Sequence, residues 1–70
     1  MKYAGLTDDP ERRRQEHGNP KDFLVVMEFE SERVARLWEV AMLRQGYKGD
    51  TGGKGWKYGY TYSVTPKTKE

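Results

Sequence analysis

The sequence contains no cysteine, only one histidine and no long apolar run. Without cysteine it can form neither a disulfide nor a thiolate site. No apolar stretch reaches the roughly 18 residues of a membrane span, and no signal-peptide pattern opens the chain, so we expect a cytoplasmic protein with no membrane partner. A length of 70 residues predicts a single small domain over residues 1–70, with residues 65–70 as a polar tail.

A strong charge of one sign is also missing. The chain has 13 Lys and Arg against 11 Asp and Glu, a net charge of +2. Basic residues nevertheless concentrate in segments 10–20 and 44–57, beside aromatic residues, which is compatible with a phosphate-bearing partner, DNA or RNA. The alternative is ordinary solvated surface charge, which accounts for most Lys and Arg side chains in proteins.

Cap and turn signals divide the chain into five elements. Strands are predicted at 2–6, 23–29 and 56–64, and helices at 10–17 and 31–45. Asp9 before Pro10 is typical of a helix start, and Gly18 and Gly46 are typical of helix ends. The order β-α-β-α-β predicts an α+β fold, in which two helices pack on a small antiparallel three-stranded sheet.

Apolar patterns predict which surfaces are covered. The strand at 23–29 is apolar on both faces in its first half, which predicts a well-covered strand. The core face of the second helix is predicted to consist of Val34, Leu37, Trp38, Ala41 and Met42. The last strand is predicted to be half-buried, with one face made of Trp56, Tyr58, Tyr60, Tyr62 and Val64.

Arg13 and His17 lie four residues apart, on one face of the first predicted helix. The arginine could hold a phosphate through its planar donors, and the histidine could transfer protons near neutral pH. The pattern alone favours a plainer interpretation, in which a surface arginine is followed by a helix-end histidine that interacts with the helix dipole.

Glu39 is predicted to lie beside the apolar face of the second helix, with Ala35 and Leu43 as its neighbours one turn away. A carboxylate in that position is either partnered or used. One glutamate is enough for Mg²⁺, which takes one or two protein carboxylates and fills its shell with water and phosphate oxygens. Pairing with Arg36 or Arg44 is the alternative.

Five tyrosines are many for so short a chain. A strand face of Trp and Tyr is most often core. Alternatively Tyr60 stacks on bases, while phosphates are bound by Arg12, Lys54 and Lys57.

Together these residues resemble the GIY-YIG nuclease superfamily over positions 3–45. The stretch from Tyr3-Ala4-Gly5 to His17 is similar to the family's YIG strand, turn and first helix, and the stretch from Phe29 to Glu39 is similar to its next strand-to-helix passage. The resemblance implies that Arg13 binds phosphate, that His17 is the family's helix histidine and that Glu39 binds the metal.

Two departures from the family stand out. Only Met1 and Lys2 precede Tyr3, so the GIY strand is missing from the front, and the family's Asn beyond the metal glutamate is also missing. The sequence Gly59-Tyr60-Thr61-Tyr62-Ser63-Val64 is similar to a GIY strand placed at the back. We therefore interpret the chain as a natural circular permutation, in which the last strand lies antiparallel beside the first.

The resemblance implies a metal-dependent endonuclease that hydrolyses DNA phosphodiester bonds. Glu39 would hold Mg²⁺ or Mn²⁺, Arg13 would stabilise charge on the phosphate, and Tyr62 or Tyr3 would activate water, with His17 in the same catalytic set. The alternatives are a non-catalytic nucleic-acid-binding module and a small interaction domain that has lost activity. Convergence of these groups in one cleft would favour the nuclease.

Overall fold

The computed structural model describes residues 1–49 and 55–69. Five elements follow one another along the chain, namely β1 (Lys2–Thr7), α1 (Pro10–Glu16), β2 (Leu24–Glu28), α2 (Glu32–Arg44) and β3 (Tyr58–Ser63). The predicted α+β class and the order β-α-β-α-β are confirmed. Within these ranges no helix is long and apolar enough to cross a membrane.

Both helices begin after the cap residues that the sequence predicts, and each ends one residue before its predicted end. The Asp9 carboxylate accepts a hydrogen bond of 3.2 Å from the Arg12 amide, and the Ser31 hydroxyl accepts one of 3.3 Å from the Val34 amide. Gly18 follows α1 with φ of 83°, a left-handed conformation that glycine adopts without steric cost. These local signals place α1 between two fixed turns.

The sheet has the strand order β1-β3-β2, with both pairings antiparallel, so β3 is its central strand. Tyr3 pairs with Tyr62 and Gly5 pairs with Tyr60. The Val64 amide donates a hydrogen bond of 2.8 Å to the Met1 carbonyl, which extends the ladder to the first residue. The predicted antiparallel pairing of the last strand beside the first is confirmed.

Strand alternation divides the core between two faces of the sheet. On the tyrosine face, Tyr3, Tyr60 and Tyr62 form one buried cluster, against which Phe23 packs. On the opposite face, here called the α2 face, Leu6, Phe29 and Ala35 form a second cluster with Trp38 and Trp56 packed against it. Helix α2 covers the second cluster, while the residues that follow α1 close over the first.

The prediction that residues 23–29 form a well-covered strand is wrong. All five residues of β2 are exposed, because β2 lies at the edge of the sheet and α2 packs mainly on β1 and β3. The well-covered strand is instead β3, in which Gly59, Tyr60 and Tyr62 are buried. The half-buried assignment of the last strand holds in part, since Tyr60 and Tyr62 of its predicted face are buried while Thr61 and Ser63 are partly exposed, but Gly59 on the other face is buried as well.

The predicted core face of α2 needs correction as well. Ala35 and Glu39 are the buried residues of this helix, whereas Val34 and Leu37 are exposed. Trp56 also differs from its prediction, because β3 begins at Tyr58 and the alternation does not extend back to residue 56. Trp56 packs on the α2 face with Leu6 and Phe29, away from the tyrosines.

Candidate functional site

His17 lies at the centre of the tyrosine face. It caps the end of α1, and only 3% of it is exposed. Its Nε2 lies 2.8 Å from the Tyr60 hydroxyl and its Nδ1 lies 2.8 Å from the Tyr62 hydroxyl. The Nδ1 atom also makes a short hydrogen bond with the Lys69 carbonyl. The ring therefore joins α1, β3 and the segment after β3.

These partners indicate the tautomer of His17. A carbonyl can only accept, so Nδ1 carries the proton that is donated to Lys69. In the neutral ring Nε2 then accepts a hydrogen bond from the Tyr60 hydroxyl. The Tyr3 ring completes the cluster, with its centroid 4.9 Å from that of His17 and 5.1 Å from that of Tyr62. The structure thus brings together Tyr3, His17 and Tyr62, as the sequence predicts.

Arg13 approaches this cluster from α1. Its Nη1 lies 2.9 Å from Oε1 of Glu16, and its buried Nε makes no hydrogen bond within the described part of the chain. Burial lowers the Arg13 pKa, but the Glu16 carboxylate and the neighbouring Tyr60 hydroxyl outweigh that effect and hold the pKa above its ordinary value. Arg13 therefore stays charged, with one side toward Tyr60 and the other toward solvent.

Tyr60 holds its proton at neutral pH. Burial raises the pKa of Tyr60 to about 12, although the charge of Arg13 opposes that rise. Tyr62 and Tyr3 are 1% and 6% exposed, so both side chains lie within the fold. A tyrosine that acts as a general base must first lose its proton, so the arrangement favours structural and positioning roles for these three side chains.

Arg12 and Arg13 line an open cleft of about 370 Å³ at the start of α1. The other lining residues are Leu6, Thr7, Asp8, Asp9, Glu16 and Gly55. We call this the Arg13 cleft. Its two arginines are suited to an anionic group such as a phosphate.

The acids of the Arg13 cleft are already engaged within the chain. Asp8 accepts hydrogen bonds of 3.1 Å from the Trp56 and Lys57 amides, which lower its pKa. Asp9 caps α1. Glu16 pairs with Arg13 at 2.9 Å and with Arg12 at 3.3 Å, and the Arg13 hydrogen bond lowers its pKa. An anion in the cleft would compete with Glu16 for the two arginines.

Glu39 does not join this site. It lies one turn from Ala35, which packs with Leu6 on the α2 face, and one turn from Leu43, which lies beside Gly49 and the Ala4 carbonyl. The sheet therefore separates Glu39 from the tyrosine face. This placement departs from the predicted convergence, and the reason is the alternation of β1, which points Tyr3 and Ala4 to opposite sides.

Glu39 is buried and paired with an arginine of its own helix. The residue is 2% exposed, and its Oε1 lies 3.4 Å from Nη1 of Arg36. Within residues 1–49 and 55–69, no three His, Cys, Asp or Glu side chains gather as a metal site. A metal ion at Oε1 of Glu39 would therefore have to replace the Arg36 contact. The sequence alternative, pairing with Arg36, describes this position.

The predicted nucleic-acid-binding residues are dispersed. Arg12 lines the Arg13 cleft. Lys57 pairs with Glu28 at 3.5 Å, and Tyr60 has no exposed surface on which a base could stack. Lys54 lies outside the described residues. Arg12 and Arg13 are thus the pair that the structure places side by side.

Sequence reasoning missed Glu16 and Lys69. Glu16 follows Arg12 by four positions and Arg13 by three, and the helical spacing rule would have identified both pairs. Lys69 contributes only its main-chain carbonyl and amide to His17, and a main-chain contact across so many residues leaves no signal in a single sequence.

No protein family, curated protein or solved structure matches this chain. Function is therefore assigned from the residues themselves and from the geometry of the Arg13 cleft and the tyrosine face.

Proposed function

We propose that this chain is a cytoplasmic nucleic-acid-binding domain of the GIY-YIG type, in which the Arg13 cleft holds a backbone phosphate of DNA. The observation that carries the proposal is the position of Arg13, fixed by Glu16 and Tyr60 and open to solvent on its other side. An arginine held in this way loses little further side-chain entropy when it binds an anion. The resemblance of residues 3–17 to the YIG segment supports the same role.

Binding without catalysis agrees best with the rest of the site. Glu39 lies on the far side of the sheet, and Tyr3 and Tyr62 are buried. Phosphate recognition needs neither group at the surface, since it requires only the two cleft arginines. Because Glu16 already occupies these arginines, we expect weak affinity that is sensitive to salt.

Arg13→Ala tests the role of the cleft. Binding to a short labelled duplex should weaken roughly tenfold, as expected for a lost charge-assisted contact, and the slope of log K against log salt should fall by about 1. The measurement is fluorescence anisotropy at several salt concentrations, with single-stranded DNA and RNA as competitors. Arg14→Ala, one residue along α1, is the matched control. Equal losses for the two variants would reduce the cleft to general basic surface.

Glu16→Gln tests the competition directly. Removing this carboxylate frees both arginines from their ion pairs and removes a negative charge facing the phosphate. Binding should tighten several-fold. Glu11→Gln, which also removes a charge from α1 but lies outside the cleft lining, should change affinity by much less. Weaker binding in Glu16→Gln would show that the phosphate does not enter this cleft.

A metal-dependent DNA endonuclease is the second candidate, and the pairing of Tyr3 with Tyr62 favours it. That pairing reproduces the two motif tyrosines side by side on adjacent strands, as the resemblance implies for a permuted GIY-YIG domain. The implied cofactor is Mg²⁺ or Mn²⁺, with Glu39 as its implied ligand. Activity would require Glu39 to exchange its Arg36 contact for the metal.

Plasmid nicking distinguishes the two candidates. The binding-module proposal predicts that supercoiled DNA stays intact with Mg²⁺ or Mn²⁺ while anisotropy still reports binding. Nicking that stops with EDTA and in Glu39→Gln would establish the nuclease instead. Nicking that persists in Glu39→Gln would indicate a contaminating nuclease. The same nicking by Arg13→Ala protein purified in parallel would confirm that the activity comes from the contaminant.

A further inference from the structure

The Tyr60 hydroxyl lies between His17 and Arg13. Its oxygen is 2.8 Å from Nε2 of His17. Burial lowers the Arg13 pKa, and hydrogen bonds with Glu16 and with this same hydroxyl raise it. Arg13 and His17 are one helical turn apart on α1, so one face of the helix presents both side chains to Tyr60. A single hydroxyl therefore joins the buried histidine to the arginine of the cleft.

The position of this hydroxyl is fixed by its packing. The register pairs Tyr60 with Gly5 of β1, and a Cβ at Gly5 would lie only 2.5 Å from the Tyr60 oxygen. Any residue larger than glycine would displace the hydroxyl. The Tyr60 ring also stacks on that of Phe23, with the two centroids 4.7 Å apart. An oxygen held in this way is pre-organised as a hydrogen-bond partner.

The hydrogen bonds of His17 set the direction in which the Tyr60 hydroxyl points. Nδ1 carries the proton that is donated to the Lys69 carbonyl. In the opposite tautomer the Nδ1 lone pair would face that carbonyl at short distance, which is repulsive. Nε2 therefore takes the single proton of the Tyr60 hydroxyl. The lone pairs of the Tyr60 oxygen remain for Arg13, which can only donate.

We propose that His17 and Tyr60 are positioning residues for the Arg13 cleft, and that the segment after β3 takes part in phosphate binding through the Lys69 carbonyl. These groups form a chain of hydrogen bonds that runs in one direction, from Arg13 through Tyr60 and His17 to Lys69. Bonds in such a chain polarise and strengthen one another. The proposal rests on the proposed function of the cleft, because the effect of the chain is to hold Arg13 ready for a phosphate.

Tyr60 differs from Glu16 in how it holds Arg13. The Glu16 carboxylate pairs with the guanidinium at 2.9 Å, and a bound phosphate has to compete with that charge. The Tyr60 hydroxyl is neutral, since burial raises its pKa to about 12, and it can keep its hydrogen bond while a phosphate binds. Tyr60 therefore orients Arg13 in both the free and the bound protein.

The tautomer of His17 tests the chain of hydrogen bonds in the free protein, without DNA. The sequence contains one histidine, so its ring nitrogen signals are unambiguous in NMR spectra. At neutral pH we expect an uncharged ring with its proton on Nδ1. Tyr60→Phe should leave this tautomer in place, because the Lys69 carbonyl still accepts from Nδ1. A proton on Nε2 alone in the wild-type protein would overturn the proposal.

Tyr60→Phe tests the positioning role by DNA binding, measured as anisotropy with a short duplex. Affinity should fall about three- to tenfold, because Arg13 must then be ordered when the phosphate binds. The slope of log K against log salt should stay that of the wild type, since Arg13 still reaches the phosphate. Tyr58→Phe, the same substitution in the same strand, should bind like the wild type. A folded Tyr60→Phe protein with unchanged affinity contradicts the positioning role.

Two comparisons separate positioning from stability and from the proposed function. Tyr62→Phe removes the other hydroxyl beside the His17 ring, so it should lower stability as Tyr60→Phe does but weaken binding less. Equal losses of affinity in these two variants would make the hydroxyls merely structural. Unchanged binding in Arg13→Ala refutes the cleft itself, whereas a loss in Arg13→Ala without one in Tyr60→Phe refutes only the positioning chain.

Discussion

At the scale of single residues, His17 shows how a polar group can be buried in so small a protein. Both of its ring nitrogens have partners, namely two tyrosine hydroxyls and a main-chain carbonyl. Buried polar groups are tolerated when they are hydrogen-bonded. The ring also packs against Tyr3, so it contributes contact area as well as hydrogen bonds. Loss of His17 would leave both tyrosine hydroxyls short of a partner.

The raised pKa of Tyr60 predicts that the folded state loses stability at alkaline pH. Its folded-state pKa of about 12 lies above the unfolded value near 10. A raised pKa means that the folded state keeps the proton more tightly, so this stabilisation is complete below pH 10 and is lost as pH rises through 12. The loss should reach on the order of 2 kcal/mol above pH 12, and roughly half of it should have occurred by pH 11. Urea unfolding at pH 9 and pH 11 measures that part of the loss.

Tyr60→Phe is the control for that transition, because it removes the titrating hydroxyl and keeps the ring. The variant should be less stable at pH 9, since His17 loses a partner, but its stability should fall less between pH 9 and pH 11. A variant that loses as much stability as the wild type would assign the transition to other groups.

At the scale of elements, β1 and β3 form a hairpin without a hairpin loop. Their register runs over six residue pairs, yet all other elements lie between them in the chain. The hydrogen bond between Val64 and Met1 shows that the start of β1 and the end of β3 are neighbours. Circular permutation is usually tolerated when the two ends that it joins already lie close together in the fold.

A circular permutant tests this relation. Residues 55–70, joined through a short glycine-serine linker to residues 1–54, place β3 directly before β1 in the chain. We expect the same circular dichroism spectrum and a free energy of unfolding within about 1–2 kcal/mol of the natural order. A permutant opened between Tyr60 and Thr61, inside β3, should not fold. Failure of both permutants would show that residues 54 and 55 must stay joined.

Local sequence signals predicted where the helices and strands begin and end better than they predicted which of them are buried. Asp9, Gly18 and Ser31 act through neighbouring main-chain atoms, so their roles could be read directly from the sequence. The apolar run of β2 gave no such information, because a strand of Val and Met looks the same whether it is covered by its own chain or left exposed. The rotation of α2 was misjudged because Glu39, a charged residue, faces the sheet.

At the scale of the whole molecule, the core is small and unusually polar. The buried apolar residues of the described chain are seven in number, and three of them are tyrosines. Chains of this length bury only about 60% of their unfolded surface. Stability therefore depends on few contacts, and an additional interface would matter more here than in a larger domain.

Sequence spacing predicted which side chains lie close together where the spacing was short, and it failed where the fold decided. Arg13 and His17, four residues apart, do point to one region, and Tyr62 meets Tyr3 because the two strands pair in register. Glu39 could not be placed in the same way, because the face of the sheet on which α2 packs depends on the path of the chain around β1. Single-sequence patterns carry no information on that choice.

The central position of β3 also constrains how the chain can fold as it is made. A ribosome releases β1 and β2 first, and these strands do not pair with each other. Each must wait for β3, the last element to emerge, so the sheet cannot begin to form during synthesis of residues 1–57. Until then the apolar side chains of β2 and α2 have no completed sheet to pack on. The partly synthesised chain can therefore bind chaperones or aggregate. Nascent chains stalled before Tyr58 should therefore be protease-sensitive throughout, and protection should appear in a single step once residues 58–63 have cleared the exit tunnel.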